Sequence, residues 1–270
     1  MVQPGAGSGA KPGMRPGIKP EEQTKAAPAR KPGVKFEPKA GTSAGVSIVV
    51  STKRPEYFDN ILDNYKRQLY KNKELVIVLH KNNINLENYR KKVRNLKNVS
   101  VYQMAEKYKL GRCLNHAIHH SKLPLIAKFD DDDYYSPYYL TEQTKALNLT
   151  GTDVVGKKAY YTYLLGSRRL IIRFPKLKQR FVKTVTGGTI LFKRSMKVRF
   201  TPSASLGEDI NFLAKCRARG YKIYATTPYN YVYLRRKSGH SWKTTESYLM
   251  YGSQFVARTK HYRSRTTRKF

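Results

Sequence analysis

Four consecutive aspartates, Asp130–Asp133, end the apolar run Leu125-Ile126-Ala127-Lys128-Phe129. A short run of this kind reads as a buried strand. Adjacent carboxylates repel one another, so four at a strand end need a cation or a set of donors to hold them. Acid is scarce elsewhere: 18 Asp+Glu face 53 Lys+Arg, a net charge of +35. The run is either a solvated acidic loop or a cation site, and its contrast with the rest of the chain favours the cation. Hard oxygen donors select Mn²⁺ or Mg²⁺. Strand alternation places Asp130 and Asp132 on one side.

The residues before the aspartates alternate between strand and helix patterns. Val46–Val50 is a β-branched run, read as a buried parallel strand. Pro55 opens a helix where it costs no hydrogen bond, with Phe58, Ile61, Leu62, Tyr65 and Leu69 on one apolar face. Leu75–Leu79 and Val99–Tyr102 are further strands, and Gly111 precedes a helix through Leu114, Ala117 and Ile118. This βαβ order predicts an α/β fold with a mostly parallel central sheet flanked by helices. Ligands in such sheets sit beyond the carboxyl ends of the strands, where the aspartates lie. After Gly151 the elements shorten. Tyr160–Leu165 and Leu170–Phe174 flank a hairpin turn, Thr189–Phe192 is a strand, and a helix follows Glu208-Asp209 to Gly220. This half reads as an antiparallel C-terminal extension of the first sheet.

Residues 1–44 hold seven of the 13 prolines, seven of the 18 glycines and one aromatic, Phe36. They read as a disordered basic arm ahead of a folded domain at 45–270, with a nucleotide-binding half at 45–150 and an acceptor half at 151–270. The arm carries only eight of the 53 Lys+Arg, so the positive charge belongs to the folded part. No apolar run is long enough to span a bilayer, and no signal-peptide core follows the N-terminus. Cys113 and Cys216 are too far apart in sequence for a disulfide scaffold or a thiolate zinc site. A cytoplasmic protein is expected.

Strand, Asp-x-Asp-Asp, two aromatics, one residue and Pro, here Asp130 to Pro137, resembles the metal-binding motif of family 2 glycosyltransferases of the GT-A fold. Ser51-Thr52-Lys53-Arg54 is similar to that family's first nucleotide loop. Gly111-Arg112-Cys113-Leu114-Asn115 resembles its Gly-x-x-x-Asn helix start, Thr186-Gly187-Gly188 its acceptor-side loop, and Gly207-Glu208-Asp209 its Glu-Asp motif. The tetra-Asp form with tyrosines looks most like enzymes of spore-forming Gram-positive bacteria. The resemblance implies an inverting, metal-dependent transfer from a nucleotide-sugar, a UDP-sugar, to a glycan, polymer or surface-protein acceptor. It assigns Asp132, Asp130 and His240 to Mn²⁺ or Mg²⁺, and Asp209, with Glu208 as alternative, to the general base. Ser51, Thr52, Arg54, Gly111, Arg112, Asn115, Asp130, Asp131, Arg235 and Arg236 fall on the donor side; Gly187, Gly188 and Trp242 on the acceptor side. Asp133 has no firm role. It also allows peripheral contact with a membrane or an assembling spore surface.

The family's Asp after the second strand is absent. That place reads Leu79-His80-Lys81-Asn82-Asn83, leaving His80 or Asn82 to meet the base. His116, His119 and His120 read as helix surface. Basic stretches at 168–183 and 258–269 are either solvated faces or a surface for an anionic acceptor, polymer or membrane. A non-catalytic nucleic-acid-binding protein would suit the charge, but not four aspartates, which repel phosphate; nucleic acid is not the expected partner.

Overall fold

The computed structural model describes residues 44–204, 206–236 and 244–270. The basic arm, His240 and Trp242 lie outside them. The first strands are β1 (Val46–Thr52), β2 (Lys73–His80), β3 (Val99–Met104) and β4 (Leu125–Lys128). All four are parallel, in the order β3-β2-β1-β4. Alternation along β1 feeds two cores. Ile48 and Val50 pack with Phe58, Ile61, Leu62 and Tyr65 of α1 (Phe58–Arg67). Val49 packs on the other face with Leu114, Ala117 and Ile118 of α3 (Leu110–His119). Burial on both faces is why these strands are continuously apolar. Between β2 and β3 lies α2 (Leu86–Val93), capped by the Asn85 side chain and unforeseen in the sequence, although Leu86, Tyr89 and Val93 give it a narrow apolar face on the core.

Leu69 does not belong to the α1 face. The helix stops at Arg67, Gln68 turns extended, and Leu69 is 56% exposed. A helical spacing of apolar residues does not by itself show where the helix ends.

The second half partly meets its expectation. β6 (Val154–Gly156), β9 (Arg180–Phe181), β10 (Leu191–Lys193) and β11 (Ile223–Ala225) extend the first sheet to eight strands, ordered β3-β2-β1-β4-β10-β6-β11-β9. The remaining strands form a second sheet. It comprises β5 (Tyr134–Tyr135), β7 (Tyr160–Leu164), β8 (Arg169–Arg173), β12 (Tyr231–Arg235) and β13 (Ser253–Arg258), ordered β13-β8-β7-β12-β5. β7 and β8 are the expected hairpin. The four aspartates thus connect β4 of the first sheet to β5 of the second. No helix among the described residues is long and apolar enough to cross a membrane.

One buried ion pair ties these layers together. Lys157, after β6, places Nζ 3.0 Å from both carboxylate oxygens of Glu142 on α4 (Tyr139–Thr150). Glu142 also accepts from Thr227 and from Asn230 Nδ2, 3.0 Å away. Both partners are buried. Removing one partner leaves an uncompensated charge inside. Glu142→Ala is therefore expected to cost about 3–5 kcal/mol in urea unfolding, while Glu142→Met with Lys157→Met is expected to cost far less.

Candidate active site

The order β3-β2-β1-β4 makes the β1/β4 boundary the point where the loops diverge and a crevice opens. Side chains from both loops meet there. Thr52 donates its hydroxyl to the Asp131 carboxylate. Arg54 Nε is 3.2 Å from Asp131 Oδ2, its Nη2 binds Asp131 Oδ1, and its Nη1 is 3.0 Å from Asp132 Oδ2. Burial alone would lower the Arg54 pKa, but the two carboxylates raise it well above the ordinary value. Across the crevice, after β12, Arg236 Nη1 lies 3.5 Å from Asp132 Oδ2. Its Nη2 donates to the Asp132 carbonyl at 3.2 Å. The Tyr57 ring carries both guanidiniums, 4.5 Å and 4.9 Å from its centre.

Asp133 points inward. It accepts from Tyr231 Oη at 2.6 Å and from the Leu234 amide at 3.0 Å. Burial, reinforced by Asp132 and Asp130, pushes its carboxyl well above the usual range. Its contacts fix the end of β12, and so bring Arg236 to Asp132. The loop backbone is held from the other side by α1: Asn60 Nδ2 donates to the Asp131 carbonyl at 2.7 Å, and Asn64 Nδ2 to the Asp133 carbonyl at 2.9 Å. Asn64 is buried beside Tyr65, an amide at a core position of an amphipathic helix. That misfit is the signal that could have marked it.

Asp130 and Asp132 meet different cations in this structure. β4 ends at Lys128 and the chain turns, so Asp130 faces another group. Lys128 Nζ is 2.7 Å from Asp130 Oδ1 and 3.4 Å from Asp209 Oδ2, with its side chain only 3% exposed. Burial works against its charge, yet Asp130, Asp209 and Glu208 raise its pKa well above the ordinary value. Glu208 and Asp209 open α5 (Glu208–Ala218). Burial and the Asp209 charge push Glu208 up to about 7, and burial also raises Asp209. The Gly187-Gly188 turn lies over Asp209 and Asp130, Gly187 against the first and Gly188 against the second, and Tyr135 Oη donates to the Gly188 carbonyl at 2.6 Å. Lys128 was passed over in the sequence as part of a strand. The alternation that selected Asp130 also selects Lys128, two residues earlier.

Other expected donor residues lie elsewhere. Ser51 sits beside the Cys113 thiol. The Asn115 amide bonds both backbone groups of Phe200, at 2.9 Å and 3.0 Å, and Arg112 stacks on Tyr108. Among the described residues, Gly111, Arg112 and Asn115 make no hydrogen bond or ion pair with the aspartates. Arg235 reaches the Thr244 carbonyl and lines a cavity of about 410 Å³ with Arg236, Gly166 and Ser167. His80 is enclosed, and Asn82 accepts from the Glu106 amide at 3.0 Å. His116 and His120 pack edge-on, with His120 stacked on Tyr102.

Among the described residues no three His, Cys, Asp or Glu side chains form a cluster able to hold a metal. One or two carboxylates completed by substrate phosphates are nevertheless the ordinary setting for Mg²⁺. Asp132 and Asp130 supply such oxygens, so the donor set fits a divalent ion shared with a ligand.

Two glycines differ in what they approach. A Cβ on Gly111 would lie 2.0 Å from the Thr201 carbonyl oxygen, which is backbone; one on Gly187 would lie 1.7 Å from Asp209 Oδ2, a side chain held by the buried Lys128. Gly111→Ala is expected to lower the melting temperature, reversing the gain of about 1 kcal/mol that alanine brings to a helix. Gly187→Ala should melt lower too, because the Asp209 carboxylate must leave the buried Lys128 ammonium. A crystal structure of that variant should show Asp209 turned away from Lys128.

The sequence pattern described as "Glycosyl transferase family 2" matches residues 47–201, more than half of the chain. No curated protein matches by sequence. Solved structures share the fold. S. aureus TarS 1–349 in complex with UDP-GlcNAc is 17% identical, with a TM-score of 0.60 over 74% of this chain and 62% of that one. The mannosyltransferase PcManGT from Pyrobaculum calidifontis, in complex with GDP-Man and Mn²⁺, is 18% identical, with a TM-score of 0.57 over 73% and 58%. The chain thus spans about three-fifths of the length of these structures. The matched span runs from β1 through the aspartates and past the Gly187-Gly188 turn, and on it the chain belongs to glycosyl transferase family 2 and has the GT-A fold.

Proposed function

We propose that the chain transfers a sugar, with inversion, from a UDP-sugar to a hydroxyl of a glycan, polymer or surface-protein acceptor, in a reaction that depends on Mn²⁺ or Mg²⁺. One observation carries the reading. Lys128 joins Asp130, on the donor side, to Asp209, a carboxylate placed to take a proton, beneath the Gly187-Gly188 turn. A carboxylate for the diphosphate side and one for the acceptor side are what a single-displacement transfer requires. The nucleotide-sugars in the TarS and PcManGT complexes support a nucleotide-sugar donor.

The roles follow from charge and reach. Asp132 and Asp130, with His240 as a further ligand, would hold the metal, which when bound neutralises charge developing on the diphosphate. Arg54 and Arg236, paired with Asp131 and Asp132 here, are guanidiniums able to fork onto phosphate oxygens. Asp209 accepts the acceptor hydroxyl proton as the new C–O bond forms and the bond to the diphosphate breaks. Lys128 keeps that carboxylate beside the donor pocket. A groove of about 450 Å³ beyond β1 and β2, lined by Pro55, Lys81, Asn83, Asn88 and Tyr89, offers amides to the base. Composition supports residues 1–44 as a basic linker ahead of the catalytic domain at 45–270. It also supports a cytoplasmic enzyme, peripheral to a membrane or an assembling spore surface.

Melting curves with UDP, UDP-GlcNAc and GDP-mannose, each with and without Mn²⁺, test the donor. Selective binding raises the melting temperature by mass action. Asp132→Asn should fold yet lose the Mn²⁺-dependent shift with UDP; an unchanged shift would remove Asp132 from the metal site. Asp209→Asn should keep that shift and lose transfer by ~10²–10⁴-fold. If Asp209→Asn transfers at a near-normal rate, Glu208 becomes the base.

A further inference from the structure

Arg173, at the end of β8, is 5% exposed, and its Nε and Nη1 are buried with no hydrogen-bond partner among the described residues. No acidic side chain forms an ion pair with it among the described residues. Aromatic rings lie against it: the guanidinium is 4.9 Å from the Phe174 ring centre and 5.6 Å from that of Tyr248. Rings stabilise a cation through their faces, but they leave those two N–H donors unanswered. A buried guanidinium lacking both a counter-charge and acceptors is costly. A second cation is close by: Lys158 Nζ lies 5.2 Å from the same Phe174 ring, donating to Thr184 Oγ1 at 2.8 Å. Phe174 sits between them with φ +49°, a conformation rare for an aromatic residue. Strained residues of this kind gather at ligand sites.

The position of this pair relative to the active site is given by sheet register. Arg173 faces Tyr160 on β7, and Tyr160 lies beside Tyr231 of β12. Tyr231 packs against Tyr135, which bonds the Gly188 carbonyl. Tyr160 also reaches the Thr186 side chain, next to Gly187. The buried cation therefore lies on the acceptor side of the site, one strand from the Gly187-Gly188 turn.

We propose that Arg173, with Lys158, binds an oxyanion carried by the acceptor, a phosphate or a carboxylate, so that the acceptor is an anionic molecule held by its charge. This assignment to the acceptor rests on the transferase reading given above; the oxyanion site itself does not.

The test uses the full chain with its arginine Nε–H resonances followed by NMR, the donor site first filled with UDP and Mg²⁺ so that added anion does not report on Arg54 or Arg236. Arg173→Lys identifies the Arg173 signal. Inorganic phosphate should shift that signal saturably. A response to phosphate alone points to a phosphate-bearing acceptor, and an equal response to acetate to a carboxylate. Arg173→Lys should weaken phosphate by roughly tenfold or more, the worth of one charge-assisted hydrogen bond. Arg173→Met should melt no lower than wild type without anion, lose the phosphate-induced rise in melting temperature, and keep the rise caused by UDP and Mg²⁺. An Arg173 signal that neither anion moves overturns the proposal, as does phosphate stabilisation undiminished in Arg173→Met. If Arg173→Met fails to fold, the wild-type titration still decides. Wild-type protein that binds phosphate at Arg173 but shows no shift with UDP under any condition would sink the transferase reading and leave the oxyanion site standing.

Discussion

Asp130–Asp133 can exist as four adjacent carboxylates only because each is answered by a different part of the chain. Asp131 and Asp132 meet Arg54 from the β1 loop, and Asp132 also meets Arg236. Asp133 is held by Tyr231 and the β12 backbone, and Asp130 by Lys128. These contacts close the passage from the first sheet to the second, so the electrostatic demand of one short loop sets how β1, β4, β12 and α5 are arranged around it. Removing Arg54 leaves Asp131 without its cation, a buried carboxylate among like neighbours, the situation that raises Asp133 far above its ordinary pKa even with its hydrogen bonds in place.

The parallel half of the fold was legible because its strands are covered on both faces and are therefore unbroken apolar runs. The same rule brought Val46–Val50 and Leu75–Leu79 out cleanly. The second sheet was not legible as a separate layer. Its strands are short and tyrosine-rich, and nothing in Tyr160–Leu164 or Tyr231–Arg235 says which sheet a strand joins. Pairing is decided by partners far away in sequence, such as Tyr231 opposite Tyr135. Leu69 shows the converse failure, an apolar residue at helical spacing that lies outside its helix.

In the site, residue types that repeat were visible and residue types that occur once were not. Four aspartates in a row, or glycine beside glycine, stand out from the chain. Lys128 does not, because 53 Lys+Arg make any single lysine unremarked. Its meaning comes from burial: a lysine in the last position of a fully buried strand must have anions at its tip, and Asp130 and Asp209 are those anions. Asn64 is similar, a single amide on an apolar helix face that proves to hold the aspartate loop. His240 and Trp242 lie outside the described residues, so the third expected metal ligand rests on the sequence resemblance.

The charge of the whole chain now takes a definite form. Of its 18 acidic residues, the four aspartates, Glu142 and Asp209 are each engaged by partners within the fold, Glu208 is buried beside Asp209, and Glu74 is bound to Ser47 and the Lys122 amide. Few carboxylates remain to balance the exposed lysines and arginines. Across β8 and β13 this goes as far as setting Arg169 directly opposite Arg258, a like-charge pair that destabilises a sheet when nothing lies between. A strongly positive exterior around a crevice lined with acids is a consistent design for handling anions. The outer field gathers them at long range, and the inner carboxylates keep the guanidiniums fixed until phosphate arrives to compete. Because that long-range field is screened within about 8 Å at physiological salt, its contribution is to encounter. The selectivity must come from short contacts such as Arg54, Arg236 and the buried Arg173.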